Sequence, residues 1–153
     1  MTKVGKVLYN ITLNGGQFLD RHKILFFFLL LTWGSITTLL GLIVSLVMLI
    51  CFRKPHRYHW SWYFELGKYW GGADFGCMFI RDKESDISLN EHEFGHSYQA
   101  AIFGPFVLVI AYIPSFIRYW WLTFSGKIDY VDYDGVWFEK SATDLGEILN
   151  RGK

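Results

Sequence analysis

Ile24 to Ile50 reads ILFFFLLLTWGSITTLLGLIVSLVMLI and holds no charged side chain. A bilayer core about 30 Å thick takes about 20 helical residues, so this run is long enough to span once with some tilt. It is too short for two full spans. Arg21, His22 and Lys23 bound it on one side, Arg53 and Lys54 on the other. A cleavable signal sequence would start nearer the first residue, have a shorter apolar core and end in small side chains. The expectation is one transmembrane helix over 24–50, preceded by an N-terminal tail, 1–23. Composition points the same way: 52% of the residues are hydrophobic and 20% aromatic against 19% charged, too apolar for a water-soluble globule. A lipid bilayer is therefore an expected partner. The net charge of +1 and the scattered basic residues argue against nucleic acid. Cys51 and Cys77 make no disulfide framework, and Asn10-Ile11-Thr12, a sequon with no other secretory sign beside it, is read as chance.

HRYHWSWYF, from His56 to Phe64, mixes Tyr and Trp with basic residues as an aromatic belt at headgroup level does. His56 and His59 have a spacing that suits a metal, but no carboxylate or Cys flanks them, and interface anchoring is the simpler reading. Residues 51–74 are thus expected to be an interfacial linker. GGADFG carries turn residues, 75–80 reads as a short strand, and RDKESD is a charged loop.

SLNEHEFGHSYQ follows, from Ser88 to Gln99. Ser88 and Glu91 form a capping-box pattern, and Gly104-Pro105 gives a stop, so a helix is expected from Leu89 to about Phe103. Residues four apart share a helical face, so His92 and His96 can offer ring nitrogens to one ion. Zinc takes such nitrogens at about 2.0–2.1 Å, and a catalytic site has three protein ligands plus a water. Glu93 would take that water's proton as general base, readying it to attack a peptide carbonyl. Phe94 would face the core, and Gly95 would let another backbone come close. The strand at 75–80 would offer an exposed edge to an extended substrate. A carboxylate-bridged di-iron site would need a second Glu-x-x-His, and the chain has none.

Two histidines need a third ligand. The downstream candidates are Asp129, Asp132, Asp134, Glu139, Asp144 and Glu147. Glu139 lies in WFEKSATDLGE, where Trp137, Phe138, Ala142 and Leu145 suggest a helix with a partly apolar face. His-Glu-Phe-Gly-His followed by Glu139-x-x-Ala142 resembles the gluzincin class of zinc metallopeptidases. The resemblance implies Glu139 as third ligand on a later helix, with an acidic residue soon after it orienting a histidine. Asp144 would do this, although the position four after the ligand Glu is here Thr143. The run from His92 to Ser115 also resembles small bacterial membrane proteins with His-Glu-aromatic-Gly-His, a following Gln, and Gly-Pro before an apolar stretch. This implies a metallopeptidase-like site in a bacterial cell membrane and no particular substrate. The site-2 protease class is less similar, since its Asp-containing second motif is missing. The likenesses cover 88–115 and 137–146.

Ala100 to Ile117 is again uncharged. A full crossing there would put Glu139 on the opposite side from His92 and His96. Phe106 to Ile117 gives only about 18 Å of helix, with Pro114 inside it, which favours a re-entrant or interfacial hairpin. A continuous span from Phe106 to Phe124, with Arg118 facing protein, is the competitor. Basic residues on the two flanks of 24–50 lean toward a cytoplasmic catalytic side. The expected protein is α+β, one transmembrane helix followed by a small zincin-like half-domain over 75–153. Its expected function is zinc-dependent peptide hydrolysis, with His92, His96 and Glu139 as ligands and Glu93 as base. The alternative is a non-catalytic membrane protein with a structural or partner-binding zinc site.

Overall fold

Lys3–Arg21 (α1), Lys23–Thr32 (α2) and Ser35–Ile50 (α3) are three helices where the sequence suggests a tail and one span. The computed structural model describes residues 1–68, 70–128 and 130–151. The uncharged run breaks at Trp33-Gly34, and α2 meets α3 at 81°. The physical cause is local. Gly34 N donates to Leu29 O at 2.8 Å, one residue beyond the α-helical partner. Hydroxyls then satisfy carbonyls around the break, Thr37 Oγ1 donating to Gly34 O at 2.8 Å and Thr38 Oγ1 to Leu30 O at 2.9 Å. Hydropathy does not register these bonds. No single helix among the described residues is long and apolar enough to cross a membrane, which overturns the expected transmembrane helix over 24–50.

Residues 1–23 are not a tail. Gly5, Thr12, Gly16 and Leu19 form the buried face of α1, started by Thr2, whose hydroxyl accepts from Gly5 N at 3.1 Å. The linker expectation also fails. Pro55–Tyr58 (β1) and Ser61–Leu66 (β2) are an antiparallel hairpin, joined by Gly72–Asp74 (β3) and Met78–Asp82 (β4) in a sheet of order β1-β2-β4-β3. β2 and β4 run parallel, Tyr63 opposite Phe79 with stacked rings 5.3 Å apart. Tyr, Trp and Phe suit strands as well as interfaces, so composition alone could not separate the two. The strand expected at 75–80 is β4, which lies inside the sheet; the edges are β1 and β3.

Ile87–Phe103 (α4) is the central helix, with every residue from Glu93 to Ala101 buried. Asp86 caps it in place of Ser88: its carboxylate accepts from Ser88 N at 3.0 Å and from Ser88 Oγ at 2.5 Å. Glu91 accepts from Asn150 Nδ2 and takes no part in a capping box. A turn of 3-10 helix at Gly104–Phe106 and a π turn at Leu108–Tyr112 lead into Ile113–Phe124 (α5), with Pro114 harmless in its first turn. The chain bends by 116° between the helical stretches 87–106 and 108–124. A 3-10 turn, Tyr133–Gly135, precedes the last helix, Trp137–Arg151 (α6).

The protein is thus six helices and a four-stranded mixed sheet among the described residues, an α+β fold in place of a spanning helix with a half-domain attached. α4 and α6 cross backbone to backbone. A Cβ on Gly95 would strike Ala142 O, and one on Gly146 would strike Glu91 O. Phe94, on another face of α4, is buried against Tyr98, Trp60 and Tyr58.

Candidate metal centre

The α4–α6 crossing brings residues from both helices to one point. His92 Nε2 and His96 Nε2 are 3.1 Å apart, and Glu139 Oε2 stands 3.2 Å from the first and 3.4 Å from the second. A tetrahedral ion with bonds of about 2.0–2.1 Å holds its ligand atoms about 3.3–3.4 Å apart, so the triangle has the dimensions of one tetrahedral face.

Hydrogen bonds behind the rings settle which nitrogens face inward. Gln99 Nε2 donates to Phe138 O at 2.8 Å and Ser141 Oγ at 2.9 Å, which turns Gln99 Oε1 to His96 Nδ1 at 2.8 Å. A carbonyl oxygen only accepts, so His96 Nδ1 carries the proton and Nε2 presents a lone pair. Thr143 Oγ1 donates to Asp134 Oδ1 at 3.2 Å and accepts from His92 Nδ1 at 2.8 Å. His92 Nε2 therefore presents a lone pair too. Both carboxylate oxygens of Glu139 are buried without a hydrogen-bond partner, and the residue is fully inaccessible. Three sets of lone pairs converge, an arrangement that needs positive charge at its centre. The buried His-His-Glu group can bind a metal ion.

Electrostatics agree. Burial opposes charge on Glu139, but the two imidazoles outweigh it and hold the carboxyl well below its usual range. Burial also opposes charge on His96, and Glu139 overrides it, raising the imidazole to about 9. A proton there does the electrostatic work of a metal and competes with one for the same lone pair.

Glu93 lines the same cleft as His92 and His96 and is 3% exposed. Burial pushes its carboxyl up to about 8, against the pull of His96, while Asp74 and Glu139 add to the rise. β3 lies directly over it: a Cβ on Gly72 would run into Glu93 Oε1. The obstructing atom is the mobile end of a side chain, so Gly72→Ala should cost little stability while displacing the carboxylate. A hydrolysis that used Glu93 as base would fall about 10²-fold, the scale of an ångström-sized misplacement, with thermal stability and metal content unchanged. Steady-state kinetics beside elemental analysis checks this.

Asp144 does not reach a histidine. It accepts from Tyr9 OH at 2.5 Å and pairs with Lys140 at 3.1 Å, which ties α1 to α6. The outer contact to His92 comes from Thr143, backed by Asp134. Thr143→Val, which keeps shape and removes the hydroxyl, is expected to weaken metal binding about 10–100-fold, with Asp134→Asn changing it in the same direction and Asp144→Ala leaving it near native. Competition against a chelator measures all three. Of the other acidic candidates, Glu147 pairs with Arg151 at 2.8 Å, Asp132 accepts through its backbone carbonyl from Arg118 at 2.8 Å, and Asp129 lies outside the described residues.

Gln99, Thr143, Gly72 and Asp74 are the contributors that residue-type reasoning passes over. Asp74 is buried, accepting from Ser97 Oγ at 2.7 Å, from Gly76 N at 2.8 Å and from Tyr112 OH. Tyr112 OH also lies 3.2 Å from His96 O, which places this link between β3 and α4 beside the ligands. No protein-family model, no curated protein and no solved structure matches this chain.

Proposed function

We propose that the chain is a zinc-dependent peptidase of gluzincin type that works against a lipid surface. One observation carries the reading: a three-ligand set, His92, His96 and Glu139, stands beside a cleft that Glu93 also lines. Two imidazoles and a carboxylate are a donor set of catalytic zinc, which keeps a position open. A structural site is closed by a fourth protein ligand, and among the described residues this group has three. When bound, zinc polarises a carbonyl and acidifies a water.

The chain's own residues supply the rest. Gln99 and the Thr143–Asp134 pair keep both Nε2 lone pairs aimed inward. Glu93, whose carboxyl holds a proton up to about 8 through burial, would be drawn down by a cation beside it. At neutral pH it then accepts a proton and returns it to the leaving amine. Tyr133, whose ring lies 6.3 Å from that of His92, lines the cleft, while Tyr130 is 86% exposed and does not. The free edge of β3 supports an extended peptide by strand addition.

Lipid is the partner proposed for the apolar helices, in the bacterial cell membrane that the resemblance implies. Leu42 to Ile50 carries no charge, and Leu42, Ile43, Leu46, Val47, Leu49 and Ile50 are exposed, Ile50 to 66%. Protein purified without chelators should contain one zinc per chain and cleave peptides, losing that activity to a chelator and regaining it with zinc. Stoichiometric iron, or protein that binds no metal, would overturn the reading. Flotation with liposomes tests the lipid partner.

A further inference from the structure

We infer that the cleft takes an extended peptide with apolar side chains, the deepest of them lodged between α3 and α5. This rests on the hydrolytic reading above and names its substrate class. The cleft measures about 770 Å³. His92, His96 and Glu93 line it together with β3, Leu40 of α3, and Ile113, Phe116 and Trp120 of α5.

Charge decides the side chains. No lysine or arginine lines the cleft among the described residues, and its acidic groups are Asp74, Glu93 and Asp134. Asp74 is already bonded to Ser97, Gly76 and Tyr112, and Asp134 to Thr143. An acidic substrate side chain would meet these carboxylates with no cation beside it except at the metal centre. A basic one would lie against the apolar rings of Phe116 and Trp120, and the remaining carboxyl, Glu93, is only 3% exposed. Both are penalised by desolvation, whereas an apolar side chain gains by burial.

Backbone geometry decides that the occupant is a peptide and not an acyl chain. Asp82 N donates to Gly71 O at 2.7 Å and Phe75 N to Met78 O at 2.8 Å, while Ala73 is in register with Ile80. In an antiparallel ladder bonded pairs alternate, so 71, 73 and 75 turn toward β4, and the N–H and C=O groups of Gly72 and Asp74 turn to the free edge. That edge borders the cleft. A second backbone matches such groups; a hydrocarbon chain leaves them unpaired. At the mouth, Phe116 is 64% exposed and Trp70 52%, so the apolar wall continues onto the apolar outer surface of the helices.

The test measures binding apart from turnover. Zinc-loaded full-length Glu93→Gln protein is titrated with two fluorescent octapeptides, one with Leu and Phe at its central positions, the other with Asp and Lys there. Anisotropy is expected to show the apolar peptide binding at least ~10-fold tighter, the scale of one buried side chain. Phe116→Asp should remove most of that preference while zinc content and circular dichroism stay native, and a free fatty acid should not displace the peptide. Equal affinity for the two peptides, no binding of either, indifference to Phe116→Asp, or displacement by fatty acid overturns the inference. The underlying reading fails differently: the native protein would then bind the apolar peptide with the same preference and leave it uncut.

Discussion

Glu93→Gln is expected to reduce the proposed peptide hydrolysis by about 10²–10⁴-fold, the usual contribution of a positioned acid–base group. Zinc content should not change. The amide keeps the shape of the carboxylate, and the ligand triangle of His92, His96 and Glu139 does not include this residue. Removing a carboxyl that burial holds up to about 8 also relieves a desolvation cost, so the variant should be at least as stable as the native protein. Lost activity with unchanged zinc and an equal or higher melting temperature is therefore the expected pattern. Loss of zinc from this variant would make Glu93 a ligand and end the assignment of roles.

The second large effect belongs to Glu139. Glu139→Ala removes the carboxylate that faces both imidazoles at 3.2 and 3.4 Å from the opposite helix. Breaking a buried charge set from one side typically costs about 3–5 kcal/mol, and in metal affinity that is about 10²–10⁴-fold. The effect should exceed that of Thr143→Val, which disturbs only the bond behind His92. Apo-protein stability should fall as well, because the two imidazoles hold this carboxyl well below its usual range and a carboxylate so depressed stabilises the fold at neutral pH. Isothermal titration with zinc, alongside thermal melts with and without the metal, separates these terms. Equal zinc affinity for Glu139→Ala and the native protein would dismantle the site.

Local spacing made half of this centre legible. His92 and His96 sit four apart on a helix that a stop at Gly104-Pro105 delimits, and a backbone with 3.6 residues per turn aligns them wherever that helix goes. The partners of their other nitrogens divide along the same line. Gln99, three residues after His96, is a helical neighbour. Thr143, 51 residues from His92, arrives only through the packing of α6 on α4. Asp134 was visible as an acidic residue, but nothing short of that packing shows that it acts through a threonine.

Apolar patterning was less informative because different structures share it. The run from Ile24 to Ile50 has the length and composition of a span, yet Gly34, Thr37 and Thr38 supply the bonds that let it turn by 81°. Hydropathy counts side-chain transfer and is blind to a carbonyl that finds a hydroxyl. Likewise, the aromatic residues from His56 to Phe64 suit a headgroup region and a sheet equally, and cross-strand pairs such as Tyr63 with Phe79 separate the two. By itself, then, the sequence determined what a single turn of backbone can impose: a helix carrying two imidazoles and a carboxylate, and a chain too apolar to bury all of its hydrophobic surface. Tertiary structure alone decided where that helix meets Glu139, which strand covers Glu93, and that the first helix is part of the core. These depend on contacts between distant segments, at Gly95, Gly146 and Gly72, where the absence of one methyl group sets how closely two backbones, or a backbone and a carboxylate, can approach.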